Sequence, residues 1–258
     1  MPFRVTFLGS GTSHGVPMIG CRCDVCTSAD ERDKRWRPSI YLELPDGLRV
    51  LVDATPDLRA QALRFDVSRV DAILFTHSHA DHILGLDEVR RYNVLQKAPV
   101  PCFGDRRTIA DLRRIFSYVF VPSAGGGGVP RLDTFVIAGS FCLGRSEIVP
   151  VPVRHGARSI LGFRLGAFAY LTDTNGIPDA SWPLLEGVQL LVLDALRDRP
   201  HPTHFSVAEA LVVARRLGPR KTYLTHICHE LPHAATCARL PDGVELAYDG
   251  LALDVPGP

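Results

Sequence analysis

The stretch "FTHSHADHILGLD", residues 75–87, holds three of the chain's ten histidines and two aspartates directly after an apolar run. Imidazole nitrogens and carboxylate oxygens are the donors that bind Zn²⁺, Mn²⁺ or Fe²⁺. The spacing H-x-H-x-D-H divides into two sets. His77 and His79 can lean to one side as the chain turns, while Asp81 and His82 reach another. Four residues cannot complete two coordination shells, so distant ligands are required, and the chain offers them in order: His155 in "VPVRHG", Asp173 in "YLTDTN" and His226 in "YLTHIC". His155 is expected to join His77 and His79, and His226 to join Asp81 and His82. Asp173 is expected to bridge the pair, since an anion between two like-charged ions offsets their repulsion.

A second cluster, "CRCDVC", brings Cys21, Cys23 and Cys26 within six residues. That spacing suits a metal better than a disulfide framework, and reduced thiols are expected. A closed tetrahedral zinc site needs a fourth ligand. Both Cys228 and His229, close to His226, are within reach of that role.

These residues need elements to hold them. Seven β-rich runs end in polar residues: 3–10, 48–54, 70–77, 148–155, 168–174, 188–195 and 221–227. Helical patterns lie at 105–120 and 206–218, the second opening on a Ser with Glu three positions on and closing on Gly. The chain is therefore read as α/β. His77, His155, Asp173, Asp194 and His226 all fall at or just past the carboxyl end of a strand, the edge where open α/β sheets place their ligands. Ligand-bearing strands in both halves hint at a duplicated layout. Residues 124–130, "AGGGGVP", read as a surface loop.

With 258 residues, 46% hydrophobic and 22% charged, the chain fits a single domain over 1–258 with a small zinc loop at 21–26. Its 29 basic residues are balanced by 28 acidic ones, which disfavours a nucleic-acid partner. The run Phe3–Leu8 is too short for a signal peptide, and no stretch approaches the roughly 20 apolar residues of a membrane span. A cytoplasmic protein without membrane attachment is expected; a homodimer is compatible with the sequence.

"THSHADHILGLD", the spaced His155, Asp173 and His226, and the opening "FLGSGTSHGVP" together resemble the metallo-β-lactamase superfamily. Within it, "GVPMIGCRCDVC" and "LTHICHE" are most similar to the PhnP-type cyclic phosphodiesterases, which act on phosphoribosyl 1,2-cyclic phosphate. The resemblance implies an αββα sandwich: two mixed sheets flanked by helices, with a dinuclear site at one edge. It further implies two divalent ions, Zn²⁺ or Mn²⁺, in that site and one structural Zn²⁺ held by Cys21, Cys23, Cys26 and His229, with a Cys228 shell as the alternative. The implied activity is hydrolysis of a small, preferably cyclic, phosphodiester by metal-activated hydroxide. Asp81 counts there as a catalytic residue as well as a ligand, and His204, in "RPHPTHFSV", as the proton donor. His201 is the weaker candidate. His14 could line the pocket, and Asp53 and Asp194 are candidates to orient metal-bound histidines. His233, Cys102, Cys142 and Cys237 are assigned to packing or surface.

Two other readings share the fold. A tRNA-end-processing endonuclease would use the same ligands but profit from a basic surface. A noncatalytic or oxidative accessory protein resembling PqqB shares the thiolate-rich loop, yet such relatives often lose dinuclear ligands, whereas all seven positions are filled here.

Overall fold

The structure is a computed structural model describing residues 2–121 and 128–255. Its first half runs β1 (Phe3–Gly9), α1 (Asp24–Thr27), β2 (Ser39–Glu43), β3 (Arg49–Val52), α2 (Leu58–Arg64) and β4 (Ala72–Leu74). It continues through α3 (Ala80–Ile83), α4 (Val89–Gln96), β5 (Val100–Gly104), α5 (Arg106–Ile115), α6 (Ser117–Phe120) and β6 (Leu132–Val136). The second half runs β7 (Phe141–Leu143), β8 (Ser146–His155), β9 (Arg158–Leu165), β10 (Phe168–Leu171) and β11 (Leu190–Asp194). It closes with α7 (Val207–Leu217), β12 (Lys221–Thr225), α8 (His233–Cys237), β13 (Val244–Leu246) and β14 (Ala252–Val255).

The strands form two seven-stranded sheets, ordered β14-β1-β2-β3-β4-β5-β6 and β13-β12-β11-β10-β9-β8-β7. Both are mixed, and in the same way. The pairs β1–β2 and β2–β3 are antiparallel and β3 through β6 are parallel. Likewise β8–β9 and β9–β10 are antiparallel and β10 through β13 are parallel. The duplicated layout thus appears as topology: β3 corresponds to β10, β4 to β11 and β5 to β12. The last strand, β14, returns to pair with β1, Phe3 opposite Val255.

The four-layer sandwich explains why the strands read as unbroken apolar runs instead of alternating ones: both faces are buried. Val50, Val52, Ala72 and Leu74 meet Phe168, Tyr170, Leu190 and Val192 in the core between the sheets. Their neighbours Leu51 and Ile73 face outward against Leu58, Val89, Ile109 and Leu112. Ala169, Leu171, Leu191 and Leu193 pack against Val207, Ala210 and Val213 of α7. Each strand therefore buries alternate residues in different cores, as its period of two requires.

Helix α7 has the expected ends. Ser206 and Glu209 cap each other's backbone N–H groups, and Gly218 takes the left-handed conformation at φ +61°. The single helix expected over 105–120 is instead broken at Phe116, which leaves helical geometry (φ −101°, ψ 41°) and buries its ring in the core under the first sheet. Burial of that ring outweighs helix continuity. Of the loop expected at 124–130, residues 124–127 lie outside the described residues, while 128–130 carry no regular structure. Among the described residues, no helix is long and apolar enough to cross a membrane.

Candidate active site and metal centres

The carboxyl ends of β3, β4, β8, β10, β11 and β12 open on one rim. Three residues that follow these strands turn sharply there: Asp53 at φ +63°, Asp173 at φ +56° and His226 at φ +60°. A left-handed backbone costs a non-glycine residue about 1–3 kcal/mol and persists only where surroundings compensate. Hydrogen bonds supply part of that compensation. The Asp53 carboxylate accepts from Thr76 N at 2.9 Å, from Thr76 Oγ1 at 2.8 Å and from His82 Nδ1 at 2.7 Å. Thr172 Oγ1 donates to Asp173 Oδ2 at 2.8 Å.

Two groups of candidate ligands meet at this rim. His77, His79 and His155 converge with their ligand atoms within 4.8 Å of one another, and so do Asp81, His82, Asp173 and His226. Asp173 also lies within that distance of His155, so its carboxylate stands between the groups. Neighbours fix the imidazole orientations. His155 Nδ1 donates to the Thr203 carbonyl at 3.0 Å, and His82 Nδ1 donates to Asp53, which leaves Nε2 of each ring as the free lone pair. The Thr76 hydroxyl, having spent its proton on Asp53, accepts from His77 Nδ1 at 3.0 Å.

The buried atoms of this donor set suit a divalent ion. His77 Nε2, His82 Nε2 and both nitrogens of His226 are buried without a hydrogen-bond partner among the described residues. Yet His82 Nε2 is 3.2 Å from Asp173 Oδ2, and His226 Nε2 is 3.1 Å from Asp173 Oδ1. Polar atoms this close that make no hydrogen bond are oriented toward a shared point instead of one another, which fits cation ligands. Electrostatics agrees. Burial opposes charge on His226, but Asp173 and Asp81 outweigh it and hold its pKa up at about 10. The carboxylates thus demand positive charge at this spot. Burial pushes the pKa values of His77, His79 and His155 down, keeping those rings neutral.

His204 lies beside both groups, its ring stacked on that of His226 at 4.4 Å and edge-on to that of His155 at 4.9 Å. Its Nδ1 donates to Asp194 Oδ2 at 2.7 Å, and Thr174 N donates to the same oxygen. Asp194 therefore differs from the expectation that it would orient a ligand histidine: it orients His204, because β11 ends opposite the loop carrying that residue. Asp53 does orient a ligand candidate, His82. A cleft of about 290 Å³ opens beyond His204, with His14, His201, Arg197, Arg199 and Glu230 in its walls.

The second cluster forms across the cleft. Cys21, Cys23, Cys26 and His229 lie within 4.8 Å of one another, His229 Nδ1 standing 3.3 Å from both Cys21 Sγ and Cys23 Sγ. Cys228 turns away, its sulfur accepting from Glu230 N at 3.4 Å. A hydrogen bond from the Cys26 backbone, outweighing burial, lowers the Cys23 thiol to about 6, so a thiolate is available at neutral pH. Cys102 and His233 are buried, Cys142 is exposed and Cys237 half-buried, all four outside the metal-type groups. Sequence reasoning did not single out Thr76 or Thr203: a hydroxyl and a backbone carbonyl leave no spacing signal.

Residues 48–227 match the model of the Beta-lactamase superfamily domain. The chain belongs to the metallo-β-lactamase superfamily. The chain is similar throughout to a solved diphosphatase of the PhnP family: 45% identity, TM-score 0.93, 99% of this chain and 98% of that one covered. The Zn²⁺-bound PqqB from Methylobacterium extorquens shares the fold at 20% identity, with a TM-score of 0.78 over 98% of this chain and 100% of that one. An octanoyltransferase from Porphyromonas gingivalis (strain ATCC BAA-308 / W83) is 34% identical over 252 residues. The match takes in 96% of this chain but 51% of that protein, so the chain spans about half the length of this relative. The expected sandwich and the likeness to the PhnP family are both borne out.

Proposed function

We propose that the chain is a metal-dependent hydrolase that cleaves a small phosphodiester, a cyclic one by preference. The observation that carries this reading is the convergence of the buried, partnerless nitrogens of His82 and His226 on Asp173, beside the group formed by His77, His79 and His155. His77, His79 and His155 would hold one divalent cation and Asp81, His82 and His226 the other, with Asp173 between them. When bound, such a pair polarises a phosphoryl oxygen and supplies an activated water. Zinc or manganese suits these N and O donors, and zinc suits the Cys21, Cys23, Cys26 and His229 cluster.

The chain's own residues do the rest. Asp53 and the Thr203 carbonyl hold His82 and His155 in fixed tautomers, so no ring has to reorient. Asp194, bonded to His204 Nδ1, fixes the ring's orientation and leaves Nε2 to deliver a proton to the departing oxygen. The cleft beyond His204 is the natural seat of the leaving group, since a proton donor must face the atom it protonates. The solved PhnP-family diphosphatase supports phosphorus–oxygen cleavage as the reaction class.

The deciding experiment is a substrate panel run with Mn²⁺ and with Zn²⁺: cyclic phosphates, linear phosphodiesters, a diphosphate ester, a phosphomonoester, a thioester and a β-lactam. Cyclic phosphates should turn over fastest. Turnover confined to the thioester and the β-lactam would overturn the proposal.

A further inference from the structure

Arg158 opens β9 and is the cross-strand partner of His155, which closes β8. Two residues, Gly156 and Ala157, join them. Residues directly opposed across an antiparallel pair project from the same face, so the hairpin carries this guanidinium to the rim where His155 stands. The side chain is exposed, and its Nη1 lies 3.0 Å from His79 Nε2. Among the described residues no carboxylate pairs with it, and nothing in the proposed chemistry so far employs it.

The contact with His79 is informative because the lone pairs can be counted. A guanidinium only donates, and a neutral imidazole offers one lone pair and one N–H. Here Nε2 must be the acceptor and Nδ1 must carry the hydrogen. A cation held by His77, His79 and His155 needs the lone pair of His79. Taken through Nε2, it removes the acceptor that Arg158 uses. Taken through Nδ1, it puts the hydrogen on Nε2, facing the guanidinium N–H. Either way, loading the site and keeping this contact are incompatible. The arginine is released at the mouth of the site, charged and without a carboxylate partner.

We infer that Arg158 binds the phosphoryl group of the substrate, its fork of donors taking non-bridging oxygens once a cation displaces it from His79. This rests on the reading of the centre as one that cleaves phosphodiesters. The planar guanidinium matches phosphate oxygens two at a time. It also stands where negative charge accumulates as phosphorus is attacked, so its contribution grows toward the transition state.

The test uses the metal-loaded protein as wild type, Arg158→Ala and Arg158→Lys, with inorganic phosphate as the probe. Metal content is measured by elemental analysis, phosphate affinity by isothermal titration calorimetry, and kcat and KM on the best phosphodiester of the panel. Arg158→Ala should keep its metal, bind phosphate about tenfold more weakly and lose about tenfold or more in kcat/KM, with Arg158→Lys in between. Unchanged phosphate affinity at full metal content overturns the inference. So does loss of metal from the alanine variant, which would make Arg158 a mere support for His79. If wild type binds phosphate through Arg158 yet cleaves no phosphodiester, the substrate reading fails while the anion site stands.

Discussion

Two buried aspartates at strand ends do different work. Asp53 orients His82, a ligand candidate, whereas Asp194 orients His204, which the proposed chemistry uses as an acid. His204→Ala is therefore expected to lower kcat by about 10²–10⁴-fold while metal content stays at wild type. The loss should shrink on a phosphodiester with an activated leaving group, which needs no proton; steady-state rates on an alkyl and a nitrophenyl ester check this. A third carboxylate, Asp249, accepts from Trp36 N, Ser10 N and Ser10 Oγ. Burial pushes its pKa up to about 7 against the pull of those hydrogen bonds. The folded chain thus keeps a proton that the unfolded chain releases near pH 4, so this group's contribution is full below that value and is lost as pH rises through about 7. The difference in melting temperature between wild type and Asp249→Asn should accordingly shrink from pH 5 to pH 8. A constant difference would place the titration elsewhere.

At the scale of elements, the site depends on how closely α3 docks against the end of β3. Ala54 N donates to the His82 carbonyl, and Gly85 N donates to the Ala54 carbonyl, so the helix bearing Asp81 and His82 is laced to the strand end bearing Asp53. This leaves no room for a side chain at Gly85: a Cβ there would lie 1.9 Å from the Thr55 carbonyl oxygen. Gly85→Ala is expected to cost about 1–3 kcal/mol and to lower bound metal, because the helix can yield only by moving His82 away from Asp53. Thermal unfolding and elemental analysis read the two effects. The loop around α1 is tied down differently, through the Cys21, Cys23, Cys26 and His229 cluster. Cys23→Ser should reduce folded yield and melting temperature more than turnover per metallated molecule; a fully stable but inactive variant would contradict the structural role.

For the whole molecule, the proposed dinuclear site is a seam. His77, His79, Asp81 and His82 follow β4 of one sheet, while His155, Asp173 and His226 come from the other. The seam is also stitched by backbone, Ile227 N donating to the Ser10 carbonyl. Cations held at the rim would bind the folded state and not the unfolded one, so they stabilise it by mass action. About three ions per chain are expected on elemental analysis, two of them leaving more readily with a chelator. Chelation should lower the melting temperature in two steps as chelator strength rises, the second step accompanying loss of zinc from the thiolate cluster. A melting temperature indifferent to chelation would mean that the sheets hold together without help from the rim.

The sequence by itself determined which side chains are available and that they end strands. The cation-binding types at 77–82, 155, 173 and 226, the thiolates at 21–26 and the capped helix after Ser206 are local signals, each readable within a few residues. Tertiary structure alone decided partnership. That Asp194 serves His204, that the Thr203 carbonyl fixes His155, and that His229 and not Cys228 faces the thiolates all depend on which strand ends are neighbours. The equivalence of Asp53 and Asp173, both left-handed just past corresponding strands, emerges only once two sheets repeat one topology. The physical reason is range: a strand's ending is set by its own residues, whereas the partner of a buried side chain is set by packing between separate segments, 10 residues apart for Asp194 and His204 and 208 for Cys21 and His229.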